Sequence, residues 1–269
     1  MKKQFAARIP RTEEGWIRFP PDYPIRREIW DELVPGTNKL VVSYHPAKYN
    51  IHMVWAIAEY ISNPGDLILD PMSGTGTTML AATLGREVVL IEVEEGYHQM
   101  QQDALANLNL MYPDIDSKVM LLRGDCRKLL PMPADAIIFS PPYADMLRVK
   151  GVSGIAAEED SSMYLLAQYS SSPWNIGNYN YFMYFNIMQK VYKALAESAP
   201  IMAVVVKDRY REMKRVPFVA DTVKCCEKVG WKLVENIIIQ PPSSEFVKIK
   251  MAQGYEMVED ESILILRRK

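Results

Sequence analysis

The sequence has no long apolar run, few cysteines and almost no net charge, and each absence excludes a class of protein. Its apolar runs all fall short of the roughly 18 residues that a membrane-spanning helix needs, so we expect no contact with a membrane. The first residues lack the apolar stretch of a secretory signal, which predicts a cytoplasmic protein. The net charge of −2 excludes a basic surface over the whole molecule, so any nucleic-acid-binding surface must be local.

The three cysteines form no metal or disulfide pattern. Cys126 stands alone, and Cys225 and Cys226 are adjacent, so no CxxC spacing occurs. We therefore expect neither a zinc site nor a disulfide framework. The sequence also contains neither the dinucleotide-binding GxGxxG nor the phosphate-binding GxxxxGK[ST], which excludes both of those nucleotide sites.

Residues 67–84 contain a strand, a glycine-rich turn and the start of a helix. Three apolar residues lead into Asp70, the turn DPMSGTG follows, and a helical stretch begins at Met79. This order predicts a β-strand that feeds the N-terminus of a helix. Gly74 and Gly76 remove side chains where a ligand must approach the backbone, and the first N–H groups of the helix would face that ligand.

Three further apolar runs also end at polar residues. They predict strands that end at Glu92, at Gly124–Asp125 and at Ser140–Tyr143. Glu92 lies 22 residues after Asp70, close to the separation at which an acid holds a ribose in nucleotide-binding α/β folds. All these motifs fall at strand ends, where such folds bind their ligands.

The motifs DPMSGTGTT, Glu92 and SPPY, in this order, resemble the S-adenosylmethionine-dependent amino-methyltransferases that methylate exocyclic amines of DNA bases. The resemblance extends from about His45 to the C-terminus. It implies an α/β fold: a Rossmann-like methyltransferase sheet of about seven strands, mostly parallel with an antiparallel edge strand, and helices on both faces. The apolar segments 233–239 and 263–266 lie close in sequence and would form the antiparallel pair at that edge. The implied cofactor is S-adenosylmethionine, with no metal.

The resemblance also implies which residues bind the cofactor. Glu92 would hold the ribose, and Asp125 would accept a hydrogen bond from the adenine amine. Lys48 would lie near the carboxylate of the methionine part, and His45 would orient its loop. The complete implied set is His45, Pro46, Lys48, Asp70, Pro71, Ser73, Gly74, Gly76, Thr77, Thr78, Glu92 and Asp125.

The SPPY turn, residues Ser140, Pro141, Pro142 and Tyr143, is the predicted catalytic element. Methyl transfer from a sulfonium needs no protein nucleophile. The protein would therefore catalyse the reaction mainly by positioning the two reactants and by excluding water from them. Ser140 Oγ and the Pro141 carbonyl could hold the hydrogens of the target amine, and the Tyr143 ring could stack on an extruded base. In the resembling family, serine in the first position is commoner for cytosine N4 than for adenine N6.

Basic residues cluster after two strands and predict contacts with phosphates. A solvated charged surface explains the same composition equally well. The candidate nucleic-acid-binding residues are Arg148, Lys150, Lys207, Arg209, Arg211, Lys214 and Arg215.

Three segments are predicted along the chain. Residues 1–44 would form an arm whose aromatic side chains pack on the main domain, or alternatively touch nucleic acid. Residues 45–269 would form the methyltransferase domain, with 144–178 as a substrate or target-recognition loop.

The predicted activity is methylation of DNA at cytosine N4, with adenine N6 second, as in restriction-modification. The alternatives are methylation of a base amine in tRNA or rRNA, and an inactive cofactor-binding subunit. Glutamine methylation uses a related Asn-Pro-Pro-Tyr turn, from which Ser140 departs. The expected partner is nucleic acid, with DNA favoured over RNA, and a homodimer or a partner subunit remains open.

Overall fold

The computed structural model describes residues 4–22, 49–144, 174–211, 214–241, 251–254, 256 and 258–269. For Arg211 only the backbone is described. Several predicted site residues lie outside the described residues, namely His45, Pro46, Lys48, Arg148 and Lys150. Residues 145–173 of the predicted recognition loop and 23–44 of the predicted arm lie outside them as well.

Nine strands occur within the described residues. They are β1 (Leu67–Asp70), β2 (Glu87–Glu92), β3 (Val119–Arg123), β4 (Ala136–Phe139), β5 (Ile201–Val206), β6 (Arg209–Arg211), β7 (Lys214–Val216), β8 (Trp231–Ile239) and β9 (Glu261–Arg268). Seven of them form one sheet in the order β3-β2-β1-β4-β5-β9-β8, and β6 pairs with β7 in a separate hairpin.

The α-helices connect these strands. They are α1 (Ile51–Ile61), α2 (Glu95–Met111), α3 (Cys126–Leu129), α4 (Tyr181–Ser198) and α5 (Phe218–Glu227). Three 3-10 helices cover Thr77–Leu84, Ile115–Lys118 and Ile176–Asn178. The helix predicted after the glycine turn is therefore present, but it is a 3-10 helix that begins at Thr77.

The sheet confirms the predicted fold class. Strands β1 to β5 are parallel where they pair, and β9 runs antiparallel to both β5 and β8. The antiparallel strand β9 thus lies one place inside the edge, which β8 occupies. The connection order reverses between β1 and β4, and this switch point is where open α/β sheets bind ligands, at the carboxyl ends of their strands.

Alternate residues of the central strands enter two different cores, because successive side chains of a strand point to opposite faces. Ile68 and Ile138 join the core that contains side chains of α1 and α2. Leu69 and Ile137 join the core that contains side chains of α4 and α5. Helices therefore cover both faces of the sheet, as predicted.

Residues 4–22 pack beside the edge strand β8. The Ile17 N–H donates to the Ile238 carbonyl at 3.1 Å, and the Gln240 N–H donates to the Ile17 carbonyl at 2.8 Å. Phe5 and Phe19 are buried in the core on that side. The boundary at residue 44 stays a prediction.

Two further observations concern membrane-spanning helices and metal sites. In the ranges that the structure covers, no helix has both the length and the apolar character needed to cross a bilayer. Among the same residues, no cluster of three or more His, Cys, Asp or Glu side chains is arranged to hold a metal ion. Cys126, Cys225 and Cys226 are buried free thiols.

Candidate active site

A pocket opens at the carboxyl ends of β1, β2, β3 and β4. Each strand end contributes lining residues, and Tyr49 and the segment 174–176 complete the walls. From the predicted cofactor and catalytic residues the pocket brings together Pro71, Ser73, Gly74, Thr77, Glu92, Asp125, Ser140, Pro141 and Pro142.

Asp70 holds the glycine turn in place and does not line the pocket. Its Oδ2 accepts a hydrogen bond from Thr78 Oγ1 at 2.5 Å, and its Oδ1 accepts one from the Met72 N–H at 3.1 Å. Burial raises the pKa of Asp70 to about 7, while the bond from Thr78 opposes that rise. Asp70, Gly76 and Thr78 were predicted as cofactor contacts, but in the structure they shape the turn from outside the pocket lining.

The Gly74 backbone is fixed between β2 and α2. Its N–H donates to Glu92 Oε2 at 2.7 Å, and its carbonyl accepts from Gln101 Nε2 at 2.6 Å. The same Gln101 nitrogen donates to Ser73 Oγ at 2.8 Å. Gln101 is fully buried. Gln101 could not be predicted as a site residue from the sequence, because no local pattern distinguishes a glutamine in the middle of a largely polar helix.

Gly76→Ala is expected to destabilise the protein more than Gly65→Ala. Both glycines have left-handed backbones, with φ of +81° and +88°, so alanine costs roughly 1–2 kcal/mol at either position. At Gly76 a Cβ would also lie 2.8 Å from Gln101 Cγ and 2.9 Å from Met79 Cε, whereas nothing lies within 4 Å at Gly65. This overpacking adds about 1–3 kcal/mol. Urea unfolding measures both free energies, and equal losses would contradict the argument.

Glu92 is a buried carboxylate in the pocket wall. Its Oε2 accepts from the Gly74 N–H and its Oε1 accepts from the Glu94 N–H at 2.8 Å. Burial raises the pKa of Glu92 to about 7, and backbone hydrogen bonds from Glu94, Gly74 and Val93 oppose this rise. A carboxylate offers about four acceptor sites, so Glu92 retains the capacity to accept a further hydrogen bond from a hydroxyl group.

Asp125 lies at the opposite end of the pocket from the SPPY turn and begins α3. Its Oδ1 accepts from the Arg127 N–H at 3.0 Å, which caps the helix. Arg127 also binds the carboxylate through Nε and Nη2, the latter at 2.8 Å. Sequence analysis did not foresee this bidentate ion pair, which fixes the orientation of the carboxylate in the pocket.

The SPPY turn divides between the pocket and the core. Ser140, Pro141 and Pro142 line the pocket. Tyr143 is only 9% exposed, and its ring centroid lies 4.9 Å from that of Phe218 on α5. Its hydroxyl accepts a hydrogen bond from the Lys207 N–H at 2.9 Å. The Tyr143 ring was predicted to stack on an extruded base, and in the structure it packs against Phe218 because α5 lies against this turn.

Tyr49 and Glu261 are two residues near the SPPY turn that sequence analysis missed. Tyr49 lines the pocket and its hydroxyl is buried close to Ser140. Burial raises the pKa of Tyr49 well above its usual value, and the charges of Asp70 and Glu261 add to this effect. Glu261 is the first residue of β9, which pairs antiparallel with β5, so Glu261 lies near the carboxyl end of β5.

Most of the basic residues that follow β5 lie in the β6–β7 hairpin, and two of them make hydrogen bonds within the protein. Arg209 Nη1 donates to the Ala144 carbonyl, directly after the SPPY turn. Arg215 Nε donates to Asp208 Oδ2 at 2.8 Å, and the other Asp208 oxygen accepts from the Val219 N–H. Lys214 is exposed. The hairpin therefore connects to both the SPPY turn and α5.

Comparisons with known proteins match parts of this chain. Residues 10–103 match the family model described as DNA methylase. The type II methyltransferase M.EcaI of Enterobacter cloacae is 36% identical over 58 residues, which are 21% of this chain and 13% of the relative. YubD, a proposed methylase of Escherichia coli (strain K12), is 34% identical over 64 residues, 23% of this chain and 28% of its own. These matches support an amino-methyltransferase.

The matched segments span less than a third of either relative. Among solved structures, the [4+2]-cyclase SpnF superposes with a TM-score of 0.50 at 13% identity, covering 81% of each chain, and shows the fold alone. The family match contains the glycine turn and Glu92 but ends before the SPPY turn, so the roles of Ser140 to Tyr143 rest on the geometry of the site.

S-adenosylmethionine is the cofactor that the family match indicates, and the pocket residues fit it. Gly74 presents backbone without a side chain, as an approaching ligand requires. Glu92 is a buried carboxylate in the pocket wall, and Asp125 is an oriented carboxylate in the same cavity. Each is a group that a nucleoside carrying hydroxyls and an amine would engage.

Proposed function

We propose that this protein transfers a methyl group from S-adenosylmethionine to an exocyclic amine of a DNA base, cytosine N4 first and adenine N6 second. One observation carries the proposal: the Gly74–Glu92 wall and the Ser140–Pro142 turn line the same cavity. A cofactor held at one wall would thus lie beside acceptors suited to an amine. The match of residues 10–103 to the family model described as DNA methylase supports DNA as the substrate.

The residues of the chain would act by holding and desolvating the reactants. S-adenosylmethionine, when bound, supplies an electrophilic methyl group. Ser140 Oγ and the Pro141 carbonyl are acceptors for the two hydrogens of the amine, which favours a nitrogen lone pair localised outside the ring. Pro141 and Pro142 have fixed φ angles and no N–H, so the turn presents acceptors rather than donors. A base in a duplex reaches this cavity only after it is flipped out of the stack.

Transfer of radiolabel from the cofactor tests the proposal. The purified protein is incubated with labelled S-adenosylmethionine and either unmethylated duplex DNA or an RNA of the same sequence. We expect label in the DNA, and none from a Ser140→Ala variant under the same conditions. Label in the RNA alone would contradict the choice of DNA. No label in either, despite cofactor binding, would indicate an inactive subunit.

Lys214 and Arg215 are the hairpin residues that we propose to contact phosphates, because both are exposed whereas Arg209 is partly buried. The Arg215 side chain is 54% exposed although it pairs with Asp208. Replacing both with glutamine should weaken DNA binding and reduce the salt slope of log K by about 0.9 for each phosphate that is no longer neutralised. The measurement is DNA affinity by fluorescence anisotropy over a range of salt concentrations.

Lys118→Gln is the matched control for the hairpin variant. Lys118 is exposed and directly precedes β3, so it lies at the opposite end of the strands from the pocket. Its replacement should leave the salt slope unchanged. A hairpin double variant that kept the wild-type slope would instead show that Lys214 and Arg215 form an ordinary solvated surface.

A further inference from the structure

Trp174 is a pocket residue to which neither the motifs nor the family match assigns a role. Its indole is 48% exposed and lines the pocket. It belongs to the predicted substrate or target-recognition loop 144–178, of which residues 145–173 lie outside the described residues. The described end of this segment reaches the wall that carries Asp125 and Glu94.

The indole is held by contacts with α3. Lys128 Nζ lies 4.3 Å from the ring centroid, a cation–π contact, and the Arg127 guanidinium carbon lies 6.0 Å away. Arg127 Nη2 also donates to the Trp174 carbonyl at 3.4 Å, while the same guanidinium is bound by Asp125. Arg127 therefore connects Trp174 to the Asp125 carboxylate.

The neighbouring Asn175 attaches the segment to the end of β2. It is 4% exposed, its Nδ2 donates to Glu94 Oε1 at 3.2 Å, and its Oδ1 accepts from the Gly177 N–H at 2.9 Å. Residues 174–176 thus form a wall attached to the ends of both β2 and β3. A side chain fixed in this way is suited to contact a bound ligand without reordering.

The order of the strands shows which part of the ligand this wall would meet. Asp125 follows β3 at one end of the row β3-β2-β1-β4, and Ser140 follows β4 at the other end. The target amine needs the acceptors at Ser140 and Pro141, so the methyl group must lie at the β4 end. The adenosine part then extends past Glu92 toward β3, where Trp174 lies.

We propose that Trp174 packs its indole against the adenine ring of the cofactor. This inference rests on the proposed function, because it takes S-adenosylmethionine as the ligand. An aromatic side chain binds a base through its flat face, whatever the charge on the distant sulfur. Trp174 therefore contributes equally to binding of S-adenosylmethionine, S-adenosylhomocysteine and adenosine.

Calorimetry with S-adenosylhomocysteine and with adenosine tests the role of Trp174. Trp174→Ala should weaken both ligands about tenfold, and Trp174→Phe, which keeps an aromatic ring, should recover most of that affinity. Phe182→Ala is the matched control, because Phe182 is 73% exposed and outside this pocket. It should bind both ligands as the wild type does. Ligand-induced quenching of tryptophan fluorescence, present in the wild type, should be reduced in Trp174→Phe.

The outcomes separate this inference from the function on which it rests. Wild-type binding of S-adenosylhomocysteine with unchanged affinity in Trp174→Ala would overturn the inference alone. Loss of DNA affinity in Trp174→Ala, with cofactor affinity intact, would also overturn it and place the indole against the target base. A folded wild-type protein that bound neither ligand would overturn the proposed function and this inference with it.

Discussion

Glu92→Ala is expected to weaken S-adenosylmethionine binding about ten- to a hundredfold, because it removes two kinds of interaction. The carboxylate would accept hydrogen bonds from the ribose hydroxyls, and a charge-assisted pair of such bonds contributes roughly 1.5–3 kcal/mol. The same carboxylate accepts from the Gly74 and Glu94 N–H groups, so its loss also frees the glycine turn. Calorimetric titration of wild type and variant measures the difference.

Glu92→Gln is the informative companion variant. Glutamine keeps the size of the side chain, but only one of its two terminal atoms accepts hydrogen bonds. Its amide nitrogen would oppose one of the two backbone N–H donors, at Gly74 or at Glu94. We therefore expect little recovery of affinity. An unchanged affinity in Glu92→Ala would remove Glu92 from the ribose contact.

The raised pKa of Glu92 predicts that both folding stability and cofactor affinity depend on pH. Its folded-state pKa of about 7 lies above the usual 4.5, so its contribution to stability is present at low pH and is lost as the pH rises through 7. The form that accepts from a diol is the ionised one. Cofactor affinity should therefore increase up to about tenfold per pH unit below 7 and level off above it. Glu92→Ala should flatten this dependence, and a wild-type affinity independent of pH between 6 and 8 would contradict it.

Tyr143→Ala is expected to cost about 3–5 kcal/mol of folding stability and most of the methylation rate, while the remaining folded protein binds cofactor normally. The ring is packed against Phe218, so truncation leaves a cavity next to the catalytic turn. Tyr143→Phe keeps the ring but leaves the Lys207 N–H without its acceptor, which costs about 1–3 kcal/mol. Urea unfolding and single-turnover methylation measure the two effects.

Tyr184→Phe is the matched control for the Tyr143 hydroxyl. Tyr184 is fully buried on α4, and its hydroxyl has no hydrogen-bond partner among the described residues. Removing that hydroxyl should therefore leave stability unchanged or slightly increased. If Tyr143→Phe behaved in the same way, the hydrogen bond from the Lys207 N–H to the Tyr143 hydroxyl would contribute nothing to stability.

The strand ends of the site could be predicted from sequence because each is a local signal. An apolar run followed by Asp70, Glu92, Asp125 or Ser140 marks the end of a buried strand, and parallel strands bring such ends together. The structure places Glu92, Asp125 and Ser140 in one pocket. Helices on both faces could be predicted too, because helical segments alternate with the strands, and the two cores confirm them.

The remaining features depend on contacts between segments distant in sequence. Gln101 reaches the glycine turn from the middle of α2, and Trp174 reaches Lys128 across 46 positions of chain. Neither has a local pattern that indicates a pocket residue. Tyr143 was predicted to stack on an extruded base because its motif suggests a base-binding role, but Phe218 on α5 packs against its ring. Only the tertiary structure determines that burial.

Mass spectrometry of nucleosides tests the central claim most directly. Duplex DNA is incubated with the protein and S-adenosylmethionine, digested to nucleosides, and compared with DNA treated with the Ser140→Ala variant. The account predicts a methyl group on an exocyclic nitrogen, N4-methyldeoxycytidine first and N6-methyldeoxyadenosine second. Methylation at a ring carbon, such as 5-methyldeoxycytidine, or no modified nucleoside at all, would contradict it.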